Sequence, residues 1–158
     1  MPCTRVRADR ASGEGGLREV LEDLALLGFI ELEPSGEWRP RQSLVDELLK
    51  RSLAALSLII DRSSPGELVK LVRGVLRNPE VLERVLETVC TIAVLSKVLE
   101  GRERVGIPLE ASVSESYVLK LVEFTRELLA KTPEVRRALK ASIRGVAHIL
   151  LSLLELDE

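Results

Sequence analysis

Three places in this sequence set a capping side chain directly before a proline and a glutamate: Ser64-Pro65-Gly66-Glu67, Asn78-Pro79-Glu80 and Thr132-Pro133-Glu134. Proline fits the first position of a helix, where its missing N–H would have had no partner, and Ser, Asn or Thr just before it accepts from an orphan backbone N–H. Ser64 with Glu67 reads as a complete capping box, the glutamate reaching back to the cap. A chain punctuated in this way must restart as a helix at each marker. Two further starts are expected, at Ser43 with Asp46 at the third helical position, and at Ser112 with Glu115 as a second capping box.

Apolar residues recur at helical spacing between these markers. Leu17, Val20, Leu21, Leu24 and Leu27 form the first such series, and Gly28 is its stop signal. The spacing predicts six helices, over 17–27, 44–61, 65–77, 79–100, 113–131 and 133–156, the fourth ending at Gly101. Hydrophobic residues make up 46% of the chain but aromatics only 3%, so the core must be built from Leu, Val, Ile and Ala, which suits packed helices. The expected fold is therefore all-α, a multi-helix bundle of about six helices with a small β-hairpin near the N-terminus. Residues 1–16 read as a disordered tail, 17–42 as a helix plus hairpin appendage, and 43–158 as the bundle.

The hairpin is expected in Phe29-Ile30-Glu31-Leu32-Glu33, which alternates apolar and acidic residues. The turn Pro34-Ser35-Gly36 follows, and then a second strand holds Trp38, the one tryptophan, and closes at Pro40. Residues 17–49 resemble the second half of a winged-helix domain, in which a helix ends in Leu-Gly-apolar-apolar-Glu, a two-stranded wing follows and another helix closes the unit. That resemblance implies contact with DNA. This stretch departs from the family pattern in having no two helices before it, and its helix carries Glu19, Glu22 and Asp23 against Arg18 alone. DNA recognition is therefore not carried over, and Phe29 and Trp38 are expected to pack the hairpin onto the bundle.

An internal duplication is a second possibility in the pattern. Residues 68–86 and 118–139 both read Lys-Leu-Val, then a helix end, then Asn/Thr-Pro-Glu-Val. The spacer is four residues longer in the second copy, about one helical turn. A duplicated helical hairpin and a chance likeness of capped, Leu-rich helices both account for this.

Between 146 and 156 only His148, Ser152 and Glu155 are polar before the end of the helix, and they share one narrow stripe. A helix apolar around most of its circumference needs burial on most sides. The fourth helix is similar in its second half. Self-association is expected through Val94, Leu95 and Val98 of that helix and Val146, Ile149, Leu150, Leu153 and Leu154 of the last.

Convergent catalytic groups are not evident. His148 is the one histidine, and a pairing with Ser152 would lie on a single helix without an oxyanion site. One His and two distant Cys, Cys3 and Cys90, make neither a zinc site nor a disulfide framework, and Cys90 reads as a small core residue. Glu80, Glu83 and Glu87 share a helical face, but Arg84 stands among them and ion pairing is the simpler reading. The glycines of 12–19 lack both the dinucleotide fingerprint and the P-loop ending. No catalytic residue, cofactor or metal ligand is assigned.

Basic residues are concentrated locally although the net charge is −2. Lys70, Arg73 and Arg77 form one stripe, and Arg137, Lys140 and Arg144 lie along the last helix. Cations on a helical face neutralise phosphates without reading bases. The leading expectation is a non-catalytic interaction or assembly module, self-associating or a subunit of a larger complex. A nucleic-acid-contacting subunit using those six cations is the alternative. The chain has no 20-residue apolar run and no signal-peptide core, so a cytoplasmic protein without membrane partners is expected. Its 30% charge and near absence of Asn, Gln and Met fit a thermophilic source.

Overall fold

The computed structural model describes residues 13–104, 106 and 114–156. Helix α1 (Gly13–Leu26) leads into an antiparallel hairpin of β1 (Ile30–Leu32) and β2 (Trp38–Pro40). Five helices follow: α2 (Gln42–Arg62), α3 (Pro65–Arg77), α4 (Pro79–Arg104), α5 (Glu115–Lys131) and α6 (Pro133–Leu156). The expected all-α architecture with one small hairpin is the architecture observed. Most of the expected tail lies outside the described residues, as do Cys3 and Ser112, while residues 13–16 belong to α1.

Local chemistry accounts for most boundaries. α1 closes in a Schellman arrangement: the Phe29 N–H bonds the Leu24 carbonyl at 2.9 Å and the Gly28 N–H bonds the Ala25 carbonyl at 3.1 Å. Gly28 takes φ +83°, the left-handed conformation that favours glycine at this position. Ile30 then pairs with Pro40, Glu31 with Arg39 and Leu32 with Trp38. At α3 the capping box is complete, with Ser64 Oγ accepting from Glu67 N–H and the Glu67 carboxylate accepting from Ser64 N–H at 2.9 Å.

Three expected boundaries are corrected. Ser43 is not a cap. α2 starts at Gln42 from Arg41, which makes no side-chain cap, and the Ser43 hydroxyl instead donates to the Gly28 carbonyl. The hairpin ladder sets this start, because the Arg41 N–H bonds the Phe29 carbonyl at 2.8 Å and carries the chain directly into the helix. α5 is capped by Ser114, which accepts from Tyr117 N–H at 3.1 Å. Gly101 does not end α4, which runs on to Arg104. It is buried where α1 crosses, and a Cβ there would stand 2.5 Å from Leu27 Cδ2.

One core runs through both the helix–hairpin segment and the bundle. Val20, Leu24, Ile30 and Trp38 share it with Leu44, Leu48, Leu86, Val89, Leu121, Phe124 and Leu128. The closest helix partnerships are α2 with α4, α1 with α5, and α3 with α6. Cys90 is fully buried beside Ser52, and burial pushes its thiol up to about 12. Val85, Val89 and Ala93 of α4 and Leu139, Ile143 and Ala147 of α6 are buried at the same distances from their prolines. The Lys-Leu-Val triplets of α3 and α5 do not match in this way. Val72 is buried and Leu71 only half-buried in the first, whereas Leu121 is buried and Val122 half-buried in the second. The inserted turn therefore shifts the buried face by one residue. Among the described residues, no helix is long and apolar enough to cross a membrane.

Candidate functional site

The functional candidates are surfaces, and their chemistry follows from what each helix leaves outside the core. α6 buries Val135, Leu139, Ile143 and Ala147 at four-residue intervals. Val146, Leu150, Leu151 and Leu154 pack half-buried against the same core. This leaves Ile149 63% exposed and Leu153, one turn further, 54% exposed. Ala138, Ser142 and Gly145 continue the same outward strip toward the helix start, all exposed, so it holds no charged side chain over more than four turns. A Cβ at Gly145 would meet nothing within 4 Å.

The eight residues expected to mediate self-association thus divide. Val94 and Val98 lie inside the single chain, at 1% and 0% exposure, and Leu95 is half-buried. The apolar half of α4 is the interior of this subunit, so Val94 and Val98 are corrected from interface to core. Ile149 and Leu153 are open, and Val146, Leu150 and Leu154 line their edge. A second apolar surface that sequence reasoning missed lies on α2, where Leu49, Leu53 and Leu58 are 38%, 49% and 47% exposed. The spacing of Leu49 and Leu53, one turn apart on the edge of an otherwise apolar helix, was the available signal.

The cations divide as well. Lys70, Arg73 and Arg77 are all exposed on the side of α3 opposite buried Leu68, Val72 and Val75, and among the described residues none has an ion-pair partner. Arg137 and Arg144 of α6 are also exposed and unpaired. Lys140, between them, is not available: its Nζ lies 2.8 Å from Glu83 Oε2, and Arg136 pairs with the same carboxylate. Burial and the adjoining charges of Arg136 and Arg144 push the Lys140 ammonium below its ordinary value. Glu83 therefore works as an internal tie between α4 and α6.

Several other cations are engaged in the fold. Arg51 bonds Glu100, Glu47 and Ser96, which joins α2 to α4, and its hydrogen bond holds the Glu47 carboxyl below its usual range. Arg102 is buried in an ion pair with Asp23, and Tyr117 Oη donates to the same Asp23 carboxylate at 2.9 Å. Burial first, and then that hydrogen bond, raises the Tyr117 hydroxyl above its ordinary value. Lys131 stands 4.1 Å over the Trp38 ring and donates to the Trp38 carbonyl. The ties of Asp23 and Lys131 join residues 79 to 94 positions apart, and no local pattern announces them.

His148 is exposed, and no hydrogen bond links it to Ser152. Among the described residues, no group of three or more His, Cys, Asp or Glu is placed to hold a metal ion. No protein-family model, curated protein or solved structure matches this chain.

Proposed function

We propose that this chain is a non-catalytic helical association module that pairs with a second copy of itself through the outward strip of α6. The observation that carries this reading is the exposure of Ile149 and Leu153 within a surface that has no charge from Ala138 to Leu153. Charged residues are 30% of the sequence, so an uncharged helix face of that length stands apart from the rest of the exterior. Covering it removes apolar area from water at about 25 cal/mol per Å². A two-fold axis through this face sets it against itself with no like charges in contact, which is why a second copy suits it. The small residues at one end let a partner helix approach closely, and half-buried Val146 and Leu150 extend the contact toward the core.

Sedimentation across a concentration series tests the reading. The native chain is expected to dimerise, and the pair Ile149→Glu and Leu153→Glu to sediment as a monomer with unchanged helix content. A native chain still monomeric near about 1 mM, where association is worth only about −4 kcal/mol, overturns it.

A further inference from the structure

We propose that the outward face of α3 is a contact surface for the phosphate backbone of duplex nucleic acid. Lys70, Arg73 and Arg77 stand on one side of the helix, exposed and without an ion-pair partner. This is unlike Arg39, Arg51, Arg102, Arg126, Arg136 and Lys140, each of which has a carboxylate partner in this chain. The one acid of α3, Glu67, is committed to the Ser64 capping box, one turn before Lys70. From Lys70 to Arg77 the charged side chains of α3 are therefore all positive, although the chain as a whole carries −2.

Geometry and side-chain chemistry favour this partner. From Lys70 to Arg77 the helix advances about 10 Å. A duplex passes about three phosphates per strand over that distance. Two of the three cations are guanidinium groups, whose planar fork matches phosphate oxygens. A bilayer is the poorer partner, because an interfacial helix inserts its apolar face and α3 has buried its own: Leu68, Val72 and Val75 are all under 9% exposed. Single strands are poorer still, since stacking needs open aromatic rings and α3 has none. The contact proposed is with phosphates, which cations on a helix face neutralise without reading bases. Arg137 and Arg144 form a separate stripe on α6 and are not required.

The experiment is fluorescence anisotropy of a labelled random-sequence DNA duplex titrated with the full chain near 50 mM salt. Binding is expected, with a log–log salt dependence that becomes shallower by about 2.7 when Lys70, Arg73 and Arg77 are changed together to Ala. The charge reversal Lys70→Glu, Arg73→Glu and Arg77→Glu is expected to abolish binding while thermal unfolding stays close to native. Running the same titration on the Ile149→Glu, Leu153→Glu chain separates this surface from self-association, because binding by that variant is expected whether or not the native chain dimerises. Absence of binding by the native chain overturns the proposal. So does equal binding by the triple-Ala chain, or equal loss from Arg137→Glu with Arg144→Glu. Retention on vesicles of about one-third anionic lipid without duplex binding also overturns it, and would assign the face to a membrane surface.

Discussion

Around the hairpin, polar groups withdrawn from water meet partners from distant helices. The Trp38 indole N–H donates to Glu127 at 3.2 Å, Lys131 covers its ring, and Asp23 collects both Arg102 and Tyr117. On α3 and the outer side of α6, cations and large apolar side chains of the same kinds have no partner among the described residues. The difference separates residues that hold this fold from residues free to meet something else. Charge on the hairpin side is internal structure, and mutating it tests stability. Charge on α3 is external, and mutating it tests binding.

The largest expected effect lies on the hairpin side. Phe124 is fully buried, with its ring centroid 4.7 Å from that of Trp38. Phe124→Ala is expected to cost about 3–5 kcal/mol in urea unfolding, because it opens a cavity under the one tryptophan. Ile149→Ala, measured at concentrations where the chain is monomeric, is expected to stay within about 0.5 kcal/mol. Similar losses at both positions would show that α6 is less open than the hairpin side is closed.

The Asp23 cluster comes next. Asp23→Asn leaves Arg102 in its buried place with one carboxylate fewer, and a hydrogen bond to a charged group contributes about 1.5–3 kcal/mol. Tyr117→Phe removes only the hydroxyl that donates to the same carboxylate, and a loss at the lower end of that range, about 1.5 kcal/mol, is expected. Changing Lys70, Arg73 and Arg77 to Ala should move the unfolding midpoint less than Asp23→Asn alone. The reverse order would mean that the α3 cations serve the fold.

Both regions were only partly readable in the sequence, for different reasons. Helix number, the hairpin and the Ser64 cap are written locally, in residues a few positions apart, and they appear as expected. The stripe Lys70, Arg73, Arg77 was equally visible because helical periodicity fixes which residues share a side. What periodicity leaves open is which of two apolar helices becomes the interior. The second half of α4 and the end of α6 read alike, and each helix meets four others, yet Val94 and Val98 are buried while Ile149 and Leu153 are exposed. The Asp23–Arg102–Tyr117 cluster depends on three helices converging, so its members look like ordinary surface charges until the fold is known.

The smallest effect separates two serines that look alike in sequence. Ser64 accepts from the Glu67 N–H, while Ser43 sits one position inside α2 with its hydroxyl turned to the Gly28 carbonyl at 3.4 Å. Losing a true cap costs about 1 kcal/mol, whereas an exposed serine inside a helix can be replaced by the better helix former at little cost. Ser64→Ala is therefore expected to destabilise the chain by about 1 kcal/mol, and Ser43→Ala to change it by less than about 0.5 kcal/mol. Ser64→Ala bears on the comparison as well, since it frays the first turn of the helix that carries Lys70 and Arg73. Amide exchange should quicken at Glu67 and Leu68 while the hairpin amides keep their protection. If the hairpin loosened equally, the two sides of the molecule would unfold as one unit, and the division between an internal and an external set of charges would rest on exposure alone.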